Sequence, residues 1–286
     1  MERGAALMLP EALSSCKALK RRLILFSLCA AALLCVAAFG AYLCPYDPYA
    51  QQYDAALQAP GWEHWLGTDR YGRDMLSRIL AGAQLSIFSA LALVAAIACI
   101  GTGVGLLCGY YGGKADALFM RLADVCLAFP SLIFAMAIAA VLHGGIHNAV
   151  VALGAVSWPK YARLVRSRTL ALKEQKFILA AQMAGSLPRQ ILIRHILPNC
   201  LGTIVVTAAL DIGTMMMELA ALSFLGLGAK PPAAEWGSMM STGRSMLQTY
   251  PWVVLSPGAA IFLSVAVFNL WGDALRDYID PKERGR

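Results

Sequence analysis

The feature that most limits what this chain can become is a series of long stretches nearly free of charge. Leu23 to Cys44, Leu85 to Cys108, Leu201 to Leu222 and Trp252 to Trp271 are the clearest. A helix needs about 20 apolar residues to cross the hydrocarbon core of a bilayer. Inside that core every backbone N–H and C=O must be satisfied within the protein, which favours helices. Composition points the same way. Of 286 residues, 59% are hydrophobic and 14% charged, whereas soluble domains carry roughly 25% charged residues. The expectation is an all-α, polytopic membrane protein with about six transmembrane helices.

The threading follows from where polar segments interrupt those stretches. Residues 1–22 are a polar lead ending in Lys17, Lys20, Arg21 and Arg22. The apolar run at 23–44 exceeds the roughly 7–15 residues of a cleaved signal sequence, so it is expected to remain as a first span. Residues 45–82 form an external loop, because Pro45, Pro48 and Pro60 oppose helix. That loop is expected to end in a short amphipathic helix over HWLGTDRYGRDMLSR, residues 64–78. A membrane core at 83–275 follows, with a polar loop at 173–198 that is too charged to span. In the second span Gly101, Gly105 and Gly109 recur every four residues, a spacing that lets helix backbones approach closely in lipid. A third span is expected over 116–142. A fourth starts near Ile146 and runs on past Lys160, Arg163, Arg166 and Arg168. Residues 226–250 make a second outer loop, and 276–286 a basic tail.

Orientation comes from the basic residues. With the N-terminus in the cytoplasm, only Arg70, Arg73, Arg78, Lys230 and Arg244 of the 24 Lys and Arg residues fall outside. This is the asymmetry the positive-inside rule describes, and it places both termini in the cytoplasm. The same rule accounts for the net charge of +7 without nucleic acid as a partner. The partner of the apolar surface is lipid.

Several residue sets invite chemistry. Five of the eight cysteines, Cys29, Cys35, Cys99, Cys108 and Cys126, lie in apolar runs, and no C-x-x-C pair occurs. All eight are expected to be packing residues. Asp211 and Glu218 stand seven residues apart, about two turns, on one face of the fifth span. Acidic groups at membrane depth face a cavity or a partner. They either line a cation or peptide-amine path or bond to a neighbouring subunit. Met215, Met216 and Met217 offer thioethers suited to Cu(I), but three consecutive residues point around a helix, which favours packing. Met215 is nevertheless kept with Asp211 and Glu218 as a candidate for the translocation path. His143 and His147 are four apart, but Gly144 and Gly145 intervene, so an interfacial polar pair is expected there rather than a metal site. Arg121 and Asp124, one turn apart, are expected to pair locally. No metal site is assigned. No cofactor is expected, and no G-x-x-x-x-G-K-[ST] loop is present to hold a nucleotide.

The most informative segment is FILAAQMAGSLPRQILIRHILPN, residues 177–199. A small-residue helical stretch ends at Gly185, and a second amphipathic stretch leads to Leu197-Pro198. Such an elbow suits docking in a partner's groove. This loop resembles the coupling loop of bacterial ABC importer permeases: two alanines, three residues, a glycine, nine residues, then I-x-L-P. Here those positions are Ala180, Ala181, Gly185, and His195-Ile196-Leu197-Pro198. Leu179 stands where an acidic residue is usual and His195 where isoleucine is usual. RHILPN is itself similar to the dipeptide, oligopeptide and nickel branch. Three further segments are similar to the same branch: residues 64–78, SFLGLGAKPPAAEWGSMM at 223–240, and NLWGDALRDYIDP at 269–281. Within it, ALDIGTMMMELAALSFLGLG at 209–228 is more similar to the nickel and metal-chelate permeases than to the peptide ones.

The resemblance implies an importer permease of the bacterial cytoplasmic membrane. Its partners would be a second permease subunit, two separate ATP-binding subunits and an external solute-binding protein. The chain itself would be no enzyme. Nickel or a metal chelate is the expected cargo, and a dipeptide or oligopeptide the alternative. A secondary transporter would show inverted repeats, and none is evident. An intramembrane protease would need a nucleophile and base within the spans, and neither Gly-x-Ser-x-Gly nor His-Glu-x-x-His occurs.

Overall fold

The computed structural model describes residues 3–279, with side chains from residue 19 onward. The expected tail beyond 279, and the side chains of most of the polar lead, lie outside the described residues. Ten α-helical segments run in order through the described chain: α1 (Arg3–Phe39), α2 (Met75–Tyr111), α3 (Gly113–Ala128), α4 (Ser131–Val141), α5 (Ile146–Lys173), α6 (Lys176–Met183), α7 (Pro188–Gln190), α8 (Leu197–Phe224), α9 (Trp236–Gly243) and α10 (Trp252–Ile279). A π-helical turn, Ile191–Ile196, joins α7 to α8 without a break.

Among the described residues, four stretches are long and apolar enough to cross a membrane: Leu19–Leu43, Met75–Tyr111, Pro188–Phe224 and Trp252–Ile279. The pair α3 and α4 meets that standard jointly but is bent by 97°. The third span is therefore broken rather than continuous. The cause is Pro130, which disfavours helical backbone in the residue before it. Phe129 is extended, at φ −107° and ψ 150°. Helix α5 has 28 residues, but its second half carries Lys160, Arg163, Arg166, Arg168 and Lys173, so its apolar section is the part before Pro159.

Helices α2 and α5 form the most extensive packing in the molecule, and the glycine repeat explains it. A Cβ at Gly105 would stand 2.5 Å from the Ala162 carbonyl oxygen, and one at Gly101 would stand 2.5 Å from the Tyr161 Cβ. The absent side chains let the backbones touch. Around this pair, α8 and α10 close a core that includes Ile87, Leu93, Ile97, Leu153 and Phe268. The described cysteines are free, and Cys108, Cys126 and Cys200 are buried among these helices.

The segment at 64–74 is not the expected amphipathic helix. It is a compact polar knot, and helix begins only at Met75, continuous with the second span. Two glycines in the left-handed region, Gly67 (φ 72°) and Gly72 (φ 71°), turn the chain. Asp69 Oδ1 accepts from the amides of Tyr71 (2.8 Å) and Arg73 (3.1 Å), and its Oδ2 accepts from Arg73 Nε (2.7 Å). Asp74 caps α2 by accepting from the Ser77 amide at 2.7 Å, and His64 Nδ1 lies 2.9 Å from its other oxygen. Arg78 donates to the Pro48 carbonyl, and Trp252 Nε1 to that of Thr68. The alternating charges that suggest a helical face are instead spent on backbone groups of a turn. His64, Asp69, Arg73, Asp74 and Arg78 are all buried.

The stretch at 230–243 closes over the same end. Glu235 caps α9 by accepting from the amides of Gly237 (3.0 Å) and Ser238 (2.8 Å). Burial pushes its carboxyl up from the ordinary range, and those two donors pull it partly back. Trp236 Nε1 donates to the Ile79 carbonyl at 3.0 Å, pinning α9 to α2.

Candidate functional site: an exposed elbow and a charge set between the helices

Helix α5 ends where Lys173 Nζ donates to the Tyr110 carbonyl at 2.7 Å. After a short turn, α6 runs to Met183. Gly185 then adopts φ 80°, and the Ser186 amide donates to the Ala181 carbonyl at 3.0 Å. That bond satisfies an end-of-helix carbonyl, as a glycine-terminated helix requires. Leu187 is extended ahead of Pro188, and Pro188 opens the next helix, where its missing N–H costs nothing. The chain thus makes two helices meeting at Gly185, as the sequence predicts.

The elbow is held from beneath and bare above. Ile178, Ile191 and Ile196 are fully buried and pack with Val165, Leu192 and Cys200 in a second core. At the tip, Ala180, Gln182, Met183, Ala184 and Gly185 are exposed, and Ala181 is half-buried. Met183 is 91% exposed and Leu187 63%. A Cβ at Gly185 would meet nothing within 4 Å. The sequence-predicted residues fall into two groups. Ala180, Ala181 and Gly185 form the tip, whereas half-buried His195 and Leu197 and exposed Pro198 lie at the root, in and just after the π turn.

The second set lies within the helices. Asp211 is buried and paired with Lys160 of α5. The other carboxylate oxygen, Oδ2, has no hydrogen-bond partner. The fully buried Tyr161 lies beside it. Glu218 accepts from Ser131 Oγ at 2.9 Å, so the broken span reaches α8 at the first residue after its break. Met215 and Met216 are buried in the main core, whereas Met217 is exposed. Asp124 pairs not with Arg121, as its spacing suggests, but with Arg163 across to α5. Arg166 binds Asp116 through two bonds, 2.6 and 2.7 Å. These two pairs tie α3 to α5, because α3 folds against α5 at the end where both aspartates face its arginines. His143 and His147 are both exposed. Among the described residues no group of three or more His, Cys, Asp or Glu side chains is placed to hold a metal ion.

Lys160 belongs to the basic series of α5, and its pairing with Asp211 of α8 is the contact that sequence reasoning did not find. Lys160 stands 14 residues after Ile146, about 21 Å into the helix at 1.5 Å per residue.

Comparison with known proteins bears on the chain as a whole. Residues 101–285 match the family described as "Binding-protein-dependent transport system inner membrane component". The chain is 48% identical over 226 residues to the dipeptide transport system permease protein DppC of Alkalihalophilus pseudofirmus, covering 79% of this chain and 74% of that protein. It is 46% identical over 254 residues to the glutathione transport system permease protein GsiD of Escherichia coli, covering 88% of this chain and 84% of that protein.

Proposed function

We propose, because this chain belongs to the family of binding-protein-dependent transport system inner membrane components, that it carries small peptides through the membrane as one half of an ABC importer's pathway. It is a permease subunit and hydrolyses nothing itself. The family implies a second permease, ATP-binding subunits and a solute-binding protein. The peptide reading, left by the sequence as the alternative, rests on one observation. Two relatives sharing 48% and 46% of residues, over 79% and 88% of this chain, bear the names dipeptide and glutathione permease. Nothing comparable stands behind the nickel leaning drawn from LDIGTMMM.

In this reading the elbow tip seats in a groove of the ATP-binding subunit. Its residues are small at Ala180, Ala181 and Gly185 and apolar at Met183 and Leu187, which suits helix-in-groove docking. Closure of the ATP-binding pair would move the elbow, and through the buried isoleucines at its root the movement would reach α8. The termini and elbow are cytoplasmic, and the knot with the α9 stretch is external.

Uptake by the intact system reconstituted in vesicles tests the cargo. A labelled dipeptide or glutathione should accumulate with ATP, and nickel should not. Accumulation of nickel with no peptide uptake would reverse the choice. Cysteine labelling of sealed right-side-out vesicles should reach positions 50–60 and 230–245 but miss 175–195.

A further inference from the structure

We propose that Lys160 is a cargo-contacting residue of the pathway, binding the carboxylate of a passing peptide, with Asp211 as its resting counter-ion. The inference rests on the peptide reading above. Lys160 lies 14 residues after the start of α5 and Asp211 13 residues before the end of α8, about 20 Å from the outer end of each helix, which is short of the roughly 30 Å thickness of the hydrocarbon core. The two partners are unlike. The Asp211 side chain is 4% exposed and the Lys160 side chain 55%. A buried pair that served only to join α5 to α8 would hide both charges. Here the carboxylate is held inside while the ammonium stands on the outer surface of the subunit. A charge bared to lipid at that depth is costly, and such groups face a water-filled cavity or a partner. The neighbours of Lys160 in sequence are fixed: Trp158, Pro159, Tyr161 and Ala162 are buried. Only the lysine projects.

Asp211 gives the site its reversibility. It neutralises Lys160 between transport events, so no bare cation remains inside the bilayer. The carboxylate can keep one bond to the lysine while the other ammonium protons turn to a cargo carboxylate. An ammonium has three donors. The chemistry selects cargo with a free carboxylate, which every unmodified peptide carries at its C-terminus. A bare metal cation would be repelled.

The test uses the complete complex with its solute-binding protein in vesicles, at saturating dipeptide. The double substitution Lys160→Met with Asp211→Asn removes both charges, so no buried carboxylate is left unpaired. It should assemble at wild-type yield and import at least tenfold more slowly. Lys160→Arg should keep most of the uptake, because it retains the cation. Wild-type uptake by the double variant overturns the proposal, as does failure of that variant to assemble, which would make the pair structural. If the wild-type complex imports no peptide, the peptide reading fails and takes this inference with it. Normal import by the double variant sinks the inference alone.

Discussion

The outer knot at 64–74 and the elbow at 176–190 both join helices, and both turn on a glycine in the left-handed region. They differ in what satisfies them. In the knot, buried His64, Asp69, Arg73, Asp74 and Arg78 bond to one another and to backbone groups of their own chain. In the elbow, the residues around the turn touch little. Gly72 has the Gln52 carbonyl oxygen 1.7 Å from where a Cβ would stand, whereas a Cβ on Gly185 would stand in open space. The knot is complete within the subunit. The elbow presents small and apolar residues, from Ala180 to Leu187, that its own chain leaves uncovered. Burial of apolar surface is the main driving force of association, so the contrast separates a structural loop from a docking one.

Substitutions at the two glycines should break the symmetry between them. Gly72→Ala should be the most damaging. It combines a strained backbone, of order 1–3 kcal/mol, with a clash against fixed backbone. The folded yield should collapse or the melting temperature in detergent should fall by several degrees. Gly185→Ala adds only the left-handed penalty, roughly 1–2 kcal/mol. The membrane domain should remain folded, and the loss should appear as weaker binding of the ATP-binding subunit. Met183→Ser should be smallest for the fold, within about 0.5 kcal/mol, because the side chain is 91% exposed. Its effect should again be confined to partner binding. Equal thermal stability of the Gly72→Ala and Gly185→Ala proteins would erase the distinction between the loops.

The parts of the molecule that sequence made visible were those governed by local rules. Apolar run length marked α1, α2, α8 and α10. The Gly101–Gly105–Gly109 repeat marked the α2 face that α5 packs on, and Gly185 marked the elbow turn. What escaped depended on partners distant in sequence. The charges of 64–74 resemble one face of a helix until the backbone groups that they satisfy are in place. The break at Phe129-Pro130 was signalled by the proline, yet the apolar character on either side masked it. Asp124 has an arginine one turn away, but the fold brings Arg163 closer. Lys160 resembled its basic neighbours because charge alone does not record which residue it pairs with. Its pairing with Asp211 arises from the packing of α5 on α8, which no spacing within either helix reveals.

The central claim is that the bare elbow is where the ATP-binding subunit seats. Ala181→Trp tests it most directly, because Ala181 is half-buried at the tip and a large ring there fills the space that a groove wall would take. Overpacking of a closely fitted contact costs about 1–3 kcal/mol. The measurement is the amount of ATP-binding subunit that co-purifies with the permease, per permease recovered from the membrane. The account predicts that the Ala181→Trp permease reaches the membrane at wild-type level but retains less than a tenth of the ATP-binding subunit. Co-purification at wild-type yield would contradict it.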